Sequence, residues 1–181
     1  GTRGIAATTL RGVAEEAGLA ARYFAESFPT IEDLHLAVFD TIVDEVEERG
    51  LAAIAATEGD QRARSRAALS VLADVLLTDQ RKGRIALIES VSSPALGPRR
   101  LAEAQRFAGI VAGLSGSGTD ARPLDLQLAA QFVIGGVAET LTAVLVGAIG
   151  VDREHLIDRL NDMLFASLRG IRANASAVRT G

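Results

Sequence analysis

Few side chains in this sequence have the types and spacing that catalysis or metal binding needs. The chain contains no cysteine, which excludes a thiolate metal site and a cysteine nucleophile. Glu32 and His35 are three residues apart, a spacing with which helical bundles hold iron, but such a site needs a second pair and further carboxylates. The other histidine, His155, has only Asp152 at that spacing, and Asp152 is the predicted N-cap of the last helix. A helical-bundle metal enzyme is therefore the least supported hypothesis, and we expect no metal, no cofactor and no catalytic residue.

The glycines and serines do not form the motifs of common enzyme classes. The sequence has no G-x-S-x-G nucleophile turn, no P-loop and no G-x-G-x-x-G after a strand. The SGSG at residues 115–118 belongs to a Gly/Ser-rich stretch closed by a proline, which predicts a surface loop rather than a phosphate cradle. The sequence thus favours a binding protein over an enzyme.

The first 34 residues predict two short helices joined by a tight turn, which is the helix-turn-helix arrangement. Thr9 is the predicted N-cap of the first helix, Gly18 ends it, and residues 21–28 form the second. The major groove of DNA admits one α-helix, so the second helix of such a pair can present its N-terminal side chains to base edges. The residues expected to pack between the two helices are Val13, Ala14 and Leu19.

Residues 8–39 resemble the TetR (tetracycline-repressor-like) family of transcriptional regulators. This block is under a fifth of the chain, and the remainder matches the family only in its helical architecture. The resemblance implies a DNA-binding helix-turn-helix followed by a helical body that binds a ligand and dimerises. The residues that carry it are Thr8-Thr9-Leu10-Arg11-Gly12-Val13-Ala14-Glu15-Glu16-Ala17-Gly18-Leu19, then Tyr23-Phe24, Phe28, and Thr30-x-x-Asp33-Leu34.

The resemblance also implies roles for individual residues. Thr9 and Arg11 would contact phosphates from the first helix, and Thr30 would start the next helix with its N-terminal amides facing a phosphate. Arg22 would read a base, since its guanidinium fork matches guanine, and the hydroxyl of Tyr23 would bond a phosphate. The residues presented by the reading helix would be Ala20, Ala21, Arg22, Tyr23 and Glu26.

Several features depart from the family pattern. The family usually has a tyrosine at Ala25, often a lysine at Ile31, and a polar residue at Ala20. Residues 1–34 hold three arginines and five acidic residues, a net charge of −2 where a phosphate-binding surface should be positive. The family's DNA-binding unit also has a helix before this motif, and we expect that helix to precede Gly1.

Hydrophobic spacing predicts an all-α fold, because helical periodicity dominates and sustained period-2 alternation is missing. A capping-box pattern at Thr30 and Asp33 opens a long helix with the apolar stripe Leu34, Val38, Ile42 and Val46. We expect a DNA-binding domain with its connecting helix at residues 1–48, and an effector-binding and dimerisation domain at 49–181. The further predicted helices are residues 61–79, 81–92, 99–114, 124–149 and 153–172, with a loop at 115–123.

Residues 128–149 are apolar enough to span a bilayer, but Gln131 and Glu139 interrupt them, and no aromatic belt or Lys/Arg cluster flanks the segment. We therefore expect a helix covered by other helices of a soluble protein or dimer. Reading helices held one DNA turn apart require two subunits, so the last two helices are predicted to form an isologous four-helix interface. The interface candidates are Leu141, Leu145, Leu160, Leu164 and Leu168, with Gly135 and Gly136 allowing close approach.

A ligand pocket in the helical body needs a few polar groups among apolar walls. The candidates are Glu89, Phe107, Gln131, Phe132 and Glu139. Together these patterns predict a cytoplasmic, dimeric regulator with a pseudo-palindromic DNA operator and an unknown small-molecule effector, and favour a repressor. A helical interaction protein that does not bind DNA is the alternative. The sequence names neither the operator nor the effector.

Overall fold

The computed structural model of the chain describes residues 4–116 and 123–177. Every regular element in these ranges is helical, which confirms the predicted all-α fold. Nothing is described of the side chains of Ala6, Ala21 and Tyr23, or of those at 114–116 and 168–177. The helices are α1 (Leu10–Glu16), α2 (Ala21–Ser27), α3 (Ile31–Ala56), α4 (Gln61–Ala73), α5 (Gln80–Gly83), α6 (Ser90–Ser92), α7 (Leu96–Gly116), α8 (Pro123–Leu145) and α9 (Arg153–Ala177), with a 3-10 turn at Ile5–Ala7 and π-helical segments at Asp74–Thr78 and Arg84–Glu89.

Local hydrogen bonds start the helices where the sequence predicts them. The Thr9 side chain accepts a bond from the Gly12 amide at 3.1 Å, and the Asp152 carboxylate accepts one from the His155 amide at 2.8 Å. A capping box opens α3, since the side chains of Thr30 and Asp33 each accept from the other's amide. These three predicted caps are confirmed.

Helix α3 connects the short N-terminal helices to the rest of the chain and continues through Gly50 to Ala56. Its buried face contains Leu34 and Ile42, as predicted. Val38, by contrast, is exposed, and Phe39 is buried in its place at 2% exposure. The buried residues of α3 do not follow a single stripe, because α4 and α7 cover the helix on different sides.

The body of the fold is formed by α4 to α9 around one main core. Ile157 and Leu141 lie at its centre with exposures of 0% and 1%. At Gly83 the backbone of α5 lies directly against Leu76 and Leu145. A Cβ there would be 2.1 Å from the backbone oxygen of Leu76 and 2.9 Å from a methyl carbon of Leu145, so no larger residue fits. The buried members of this core are Ile42, Leu69, Ala73, Val75, Leu76, Val133, Val137, Leu141, Leu156, Ile157 and Leu160.

Several helix limits differ from the prediction. The helix predicted over 61–79 ends at Ala73 and continues as a π-helical segment, a change of hydrogen-bond register that hydrophobic spacing does not reveal. Helix α7 begins at Leu96, so Pro98 lies in its first turn, where a proline has no intrahelical bond to lose. Ser115 and Gly116 extend α7 into the predicted loop, and residues 117–122 lie outside the described part of the chain.

Helix α8 is long and apolar enough to cross a membrane by length and composition, and 22% of its most apolar window is buried. Its inward side packs against α7 and α9. The prediction that other helices cover this helix is therefore met on one side only within the subunit. The predicted domain limit at residues 48 and 49 lies within α3 and remains a prediction.

Candidate nucleic-acid interface

The turn between α1 and α2 depends on Gly18 and Ala14. Gly18 has a φ of +67°, a left-handed conformation that is accessible to glycine without strain. The Leu19 amide donates to the Ala14 carbonyl at 2.9 Å, which closes the end of α1. Ala14, one of the residues predicted to pack between the two helices, is 1% exposed, and α1 packs against α2. Leu19 is 55% exposed and does not fill this contact, contrary to the prediction.

Helix α2 presents Arg22 and Glu26 on an exposed side, as expected for a reading helix. On the opposite side the rings of Phe24 and Phe28 pack with their centroids 5.2 Å apart. Ala20 is exposed at the N-cap and provides no side-chain hydrogen bond to the helix. The side chains of Ala21 and Tyr23 are outside the described part of the structure, so their predicted contacts remain predictions.

Thr9 and Arg11 lie at the exposed N-terminal end of α1. The Thr9 oxygen is engaged as an acceptor in the cap, but a hydroxyl can also donate, so it suits a phosphate oxygen. Arg11 Nε contacts Glu15 Oε1 at 2.8 Å, and the two side chains are 84% and 64% exposed. Exposed pairs of this kind add little stability, so a phosphate can displace Glu15 from Arg11.

The start of α3 is less suited to a phosphate than the sequence suggested. The Thr30 amide donates to Asp33 Oδ2 at 3.0 Å, and the Thr30 hydroxyl donates to the same oxygen at 2.8 Å. The capping box uses the amides of Thr30 and Asp33, and the Asp33 carboxylate brings a negative charge to this end of the helix. A phosphate near Thr30 would therefore meet Asp33 rather than a free Thr30 amide.

Glu89 connects the N-terminal unit to the body of the fold. Its carboxylate accepts a hydrogen bond from the backbone amide of Ile5, and the Ile5 side chain packs on a second core around Phe39 and Leu96. Burial lowers the pKa of nearby His35, although the charges of Glu32 and Glu89 act to raise it. One oxygen of the Glu89 carboxylate is therefore used by the Ile5 amide, and the assignment of Glu89 to a ligand pocket remains a prediction.

The other pocket candidates do not converge. Phe107 is half-buried against the second core, with the Arg106 guanidinium 4.9 Å from its ring centre. Phe132 is 74% exposed, and Gln131 and Glu139 are also exposed on α8. Gln131 and Glu139 are eight residues apart on the exposed side of α8, which points out of the subunit.

The leucines proposed for the subunit interface lie mostly in the core. Leu141 and Leu160 are 1% and 4% exposed, so they have no surface left for a partner. Leu145 and Leu164 are partly buried, with Leu145 against Gly83 and Leu164 on the main core. The side chain of Leu168 is outside the described residues. Among the described side chains of α8 and α9, the large apolar ones that are exposed are instead Leu124, Leu128, Phe132 and Met163, which we call the outer stripe.

An open cleft between α4 and α9 is lined by charged side chains that already bind one another. Arg66 contacts Asp158 and Glu154, each at 2.7 Å, and Arg62 pairs with Asp162. These bonds hold α4 against α9, so the cleft has a structural explanation. Within the described part of the chain, no three His, Asp or Glu side chains come together as a metal site would need.

Comparison with known proteins finds a likeness among solved structures. No family model and no curated protein matches the chain. Among solved structures, the chain is similar to the crystal structure of Mycobacterium smegmatis AmtR, with 21% identity, a TM-score of 0.46, and coverage of 94% of this chain and 88% of that chain. A likeness at these values assigns no activity, so the function has to be argued from the chain's own residues.

Proposed function

We propose that this chain is a DNA-binding transcriptional regulator of the TetR type that acts as a dimer. The observation that carries the proposal is the arrangement of α1 and α2: a buried Ala14 on the first helix, a left-handed Gly18 in the turn, and Arg22 and Glu26 exposed on the second helix. An exposed arginine near the start of such a helix can form two bonds to a guanine in the major groove.

The dimer is supported by the outer stripe. Leu124, Leu128, Phe132 and Gly136 recur every four residues along α8, and Met163 on α9 is exposed as well. Contiguous exposed apolar surface of this kind marks an interaction site. A second copy of the chain suits it better than a bilayer, because Glu139 and Gln131 lie on the same exposed side and a charge in hydrocarbon is costly.

Release of DNA by a small-molecule effector is the second part of the proposal. It is supported by the two π-helical segments, Asp74–Thr78 and Arg84–Glu89, since such segments are frequent at functional sites. The effector would bind one arrangement of the subunits more tightly, and its effect would be limited by that difference in affinity. Because the effector would release the protein from DNA, the protein would act as a repressor. Its operator would be pseudo-palindromic, to match the dimer, and its location would be cytoplasmic.

Selection of DNA from a random library by the full-length protein tests this proposal. We expect enrichment of an inverted repeat with half-sites about 34–36 Å apart, and an affinity that falls steeply with salt. On the selected site, Arg22→Ala should cost about 1–3 kcal/mol and relax the preference at one base pair. Arg64→Ala, at an exposed arginine of α4, is the matched control and should leave both unchanged.

The helical interaction protein is the competing function, and one observation favours it. The N-terminal 34 residues are net acidic, and Asp33 adds a carboxylate to the start of α3. If the library yields no enriched sequence at low salt, the interaction protein is the better description and DNA binding is rejected.

A further inference from the structure

Three charged side chains follow one face of α7 and meet at a buried carboxylate. Arg99, Glu103 and Arg106 are spaced by four and three residues, so they share one side of the helix. The Glu103 side chain is 8% exposed. Its Oε1 contacts Arg99 Nη1 at 2.9 Å and its Oε2 contacts Arg106 Nε at 2.7 Å. Each carboxylate oxygen thus has a guanidinium of its own.

The same two arginines reach across to α3. Arg99 Nε donates to Asp40 Oδ1 at 2.7 Å, and Arg106 Nη1 donates to Glu47 Oε1 at 2.6 Å. These hydrogen bonds raise the pKa of Arg99 and lower that of Glu47. We call the connected set Asp40, Arg99, Glu103, Arg106 and Glu47 the charge ladder.

The ladder fixes the register of two helices. Asp40 and Glu47 are seven residues apart on α3, and Arg99 and Arg106 are seven apart on α7, which is about 10.5 Å along each helix. Because the spacings are equal, both cross-links form together at one longitudinal position and a slide of one turn would break both. Glu103 keeps the arrangement together, since the two guanidinium charges would otherwise repel each other.

The position of the ladder relates the two surfaces that the proposed function uses. Helix α3 leads directly to α2, and α7 packs along α8, whose outer side carries the outer stripe. The ladder therefore lies between the surface proposed to join two subunits and the helices proposed to contact DNA. A second group, in which Glu45 of α3 pairs with Lys82 and Arg49, braces α3 from the direction of α5.

Resting on the proposed function, we infer that Glu103 is a positioning residue for DNA recognition. By holding Arg99 and Arg106 on α3, it sets the angle of α3 to the dimer and so the distance between the two reading helices. Arg99 and Arg106 act with it as the cross-links. None of these side chains needs to touch DNA, so the expected consequence of losing them is a loss of spacing selectivity rather than of base preference.

The experiment measures the distance between the two α2 helices of the dimer directly. The chain has no cysteine, so Glu26→Cys gives one spin label on each α2 of the dimer. We expect a narrow distribution of label-to-label distances for the parent and a broader one for Glu103→Gln. The double variant Asp40→Asn/Glu47→Gln changes only half-exposed side chains and leaves Glu103 paired, so it keeps the test valid if Glu103→Gln does not fold. Arg66→Gln, which cuts ion pairs between α4 and α9, is the control and should leave the distribution narrow.

A second readout separates this inference from the proposed function. On DNA with two half-sites at varied spacing, the ladder variants without the label should lose about 5-fold or more of the parent's discrimination between the best spacing and its neighbours. Their base preference within a half-site should stay the same. Parent-like distances and spacing preference in both ladder variants would overturn the inference while leaving DNA binding in place. A parent protein that selects no DNA would reject the proposed function, and the role of Glu103 with it.

Discussion

The inward and outward sides of α8 and α9 have similar side chains in opposite surroundings. On the inward side, Leu141 and Ile157 are 1% and 0% exposed. On the outward side, Leu128, Phe132 and Met163 are 62%, 74% and 61% exposed. The comparison teaches that an apolar helix must be covered, but that its composition does not say which side the subunit covers itself and which it leaves for a partner.

The two sides of α8 are separated by a simple offset in sequence. The inward residues include Leu126, Ala130 and Val133, whereas the outward ones begin at Leu124 and Leu128. A shift of two residues turns a helix by about 200°, so both stripes fit on one helix. Since each stripe has helical spacing, periodicity alone assigns neither of them to the core.

The largest expected effect is at the centre of the inward side. Ile157→Ala should lower the free energy of unfolding by about 2–5 kcal/mol, because it leaves a cavity in a packed core. Met163→Ala on the outward side of the same helix is the matched truncation. In denaturant titrations at a protein concentration low enough for monomers, it should change the unfolding free energy by about 0.5 kcal/mol or less. Equal losses would show that the two sides do not differ.

An intermediate effect is expected at the most exposed residue of the outer stripe. Phe132→Asp should leave the secondary structure unchanged and raise the dimer dissociation constant at least about tenfold, which is about 1.4 kcal/mol. The reason is that an aspartate cannot be buried in an apolar interface without a partner. Sedimentation velocity over a range of concentrations measures it.

The control for Phe132→Asp is Leu51→Asp, at a 54% exposed leucine of α3 outside the outer stripe. It introduces the same charge and should leave the dimer intact. Dissociation by both variants would point to a general effect of charge, and dissociation by neither would remove the outer stripe from the interface.

The smallest expected effect has opposite signs for the subunit and the dimer. A Cβ at Gly136 would meet no atom within 4 Å in the subunit. Gly136→Ala should therefore stabilise the monomer by about 0.5–1 kcal/mol, because an alanine loses less backbone entropy in a helix. The same methyl group should weaken the dimer if the helices approach closely there. Thermal unfolding and sedimentation of one sample test both signs, and a tighter dimer would contradict the proposed close approach.

Local signals in the sequence were sufficient for the helix starts and for the helix-turn-helix. The caps at Thr9, Thr30 and Asp152 depend on hydrogen bonds that span three residues, so the residue types predict them directly. Gly18 predicts the turn for the same reason, since its left-handed conformation is a local property. The all-α fold followed from periodicity over windows of similar length.

Contacts between distant parts of the chain were not predictable in this way. Glu89 binds the Ile5 amide across 84 residues of sequence, and Arg99 meets Asp40 across 59. The sequence does not identify the partner of Glu89 or of Arg99, because any exposed amide could bond Glu89 and any exposed carboxylate could pair with Arg99. For Glu103 a local signal was present in the sequence. Arginines lie four residues before it and three residues after it on one helix, which predicts that both contact its carboxylate.

The sequence by itself determined that the chain is helical, where the three capped helices α1, α3 and α9 begin, and that the first two helices form a helix-turn-helix, because these properties depend on neighbours within a few residues. Tertiary structure decided that Leu141 and Leu160 lie in the core while Phe132 lies outside it, and that α3 is held by α7 at one register. The physical reason is that burial and ion pairing depend on both of the surfaces that meet. An apolar side chain can pack, and a charged side chain can pair, with more than one partner at a similar energy, so the residue type alone does not identify the partner.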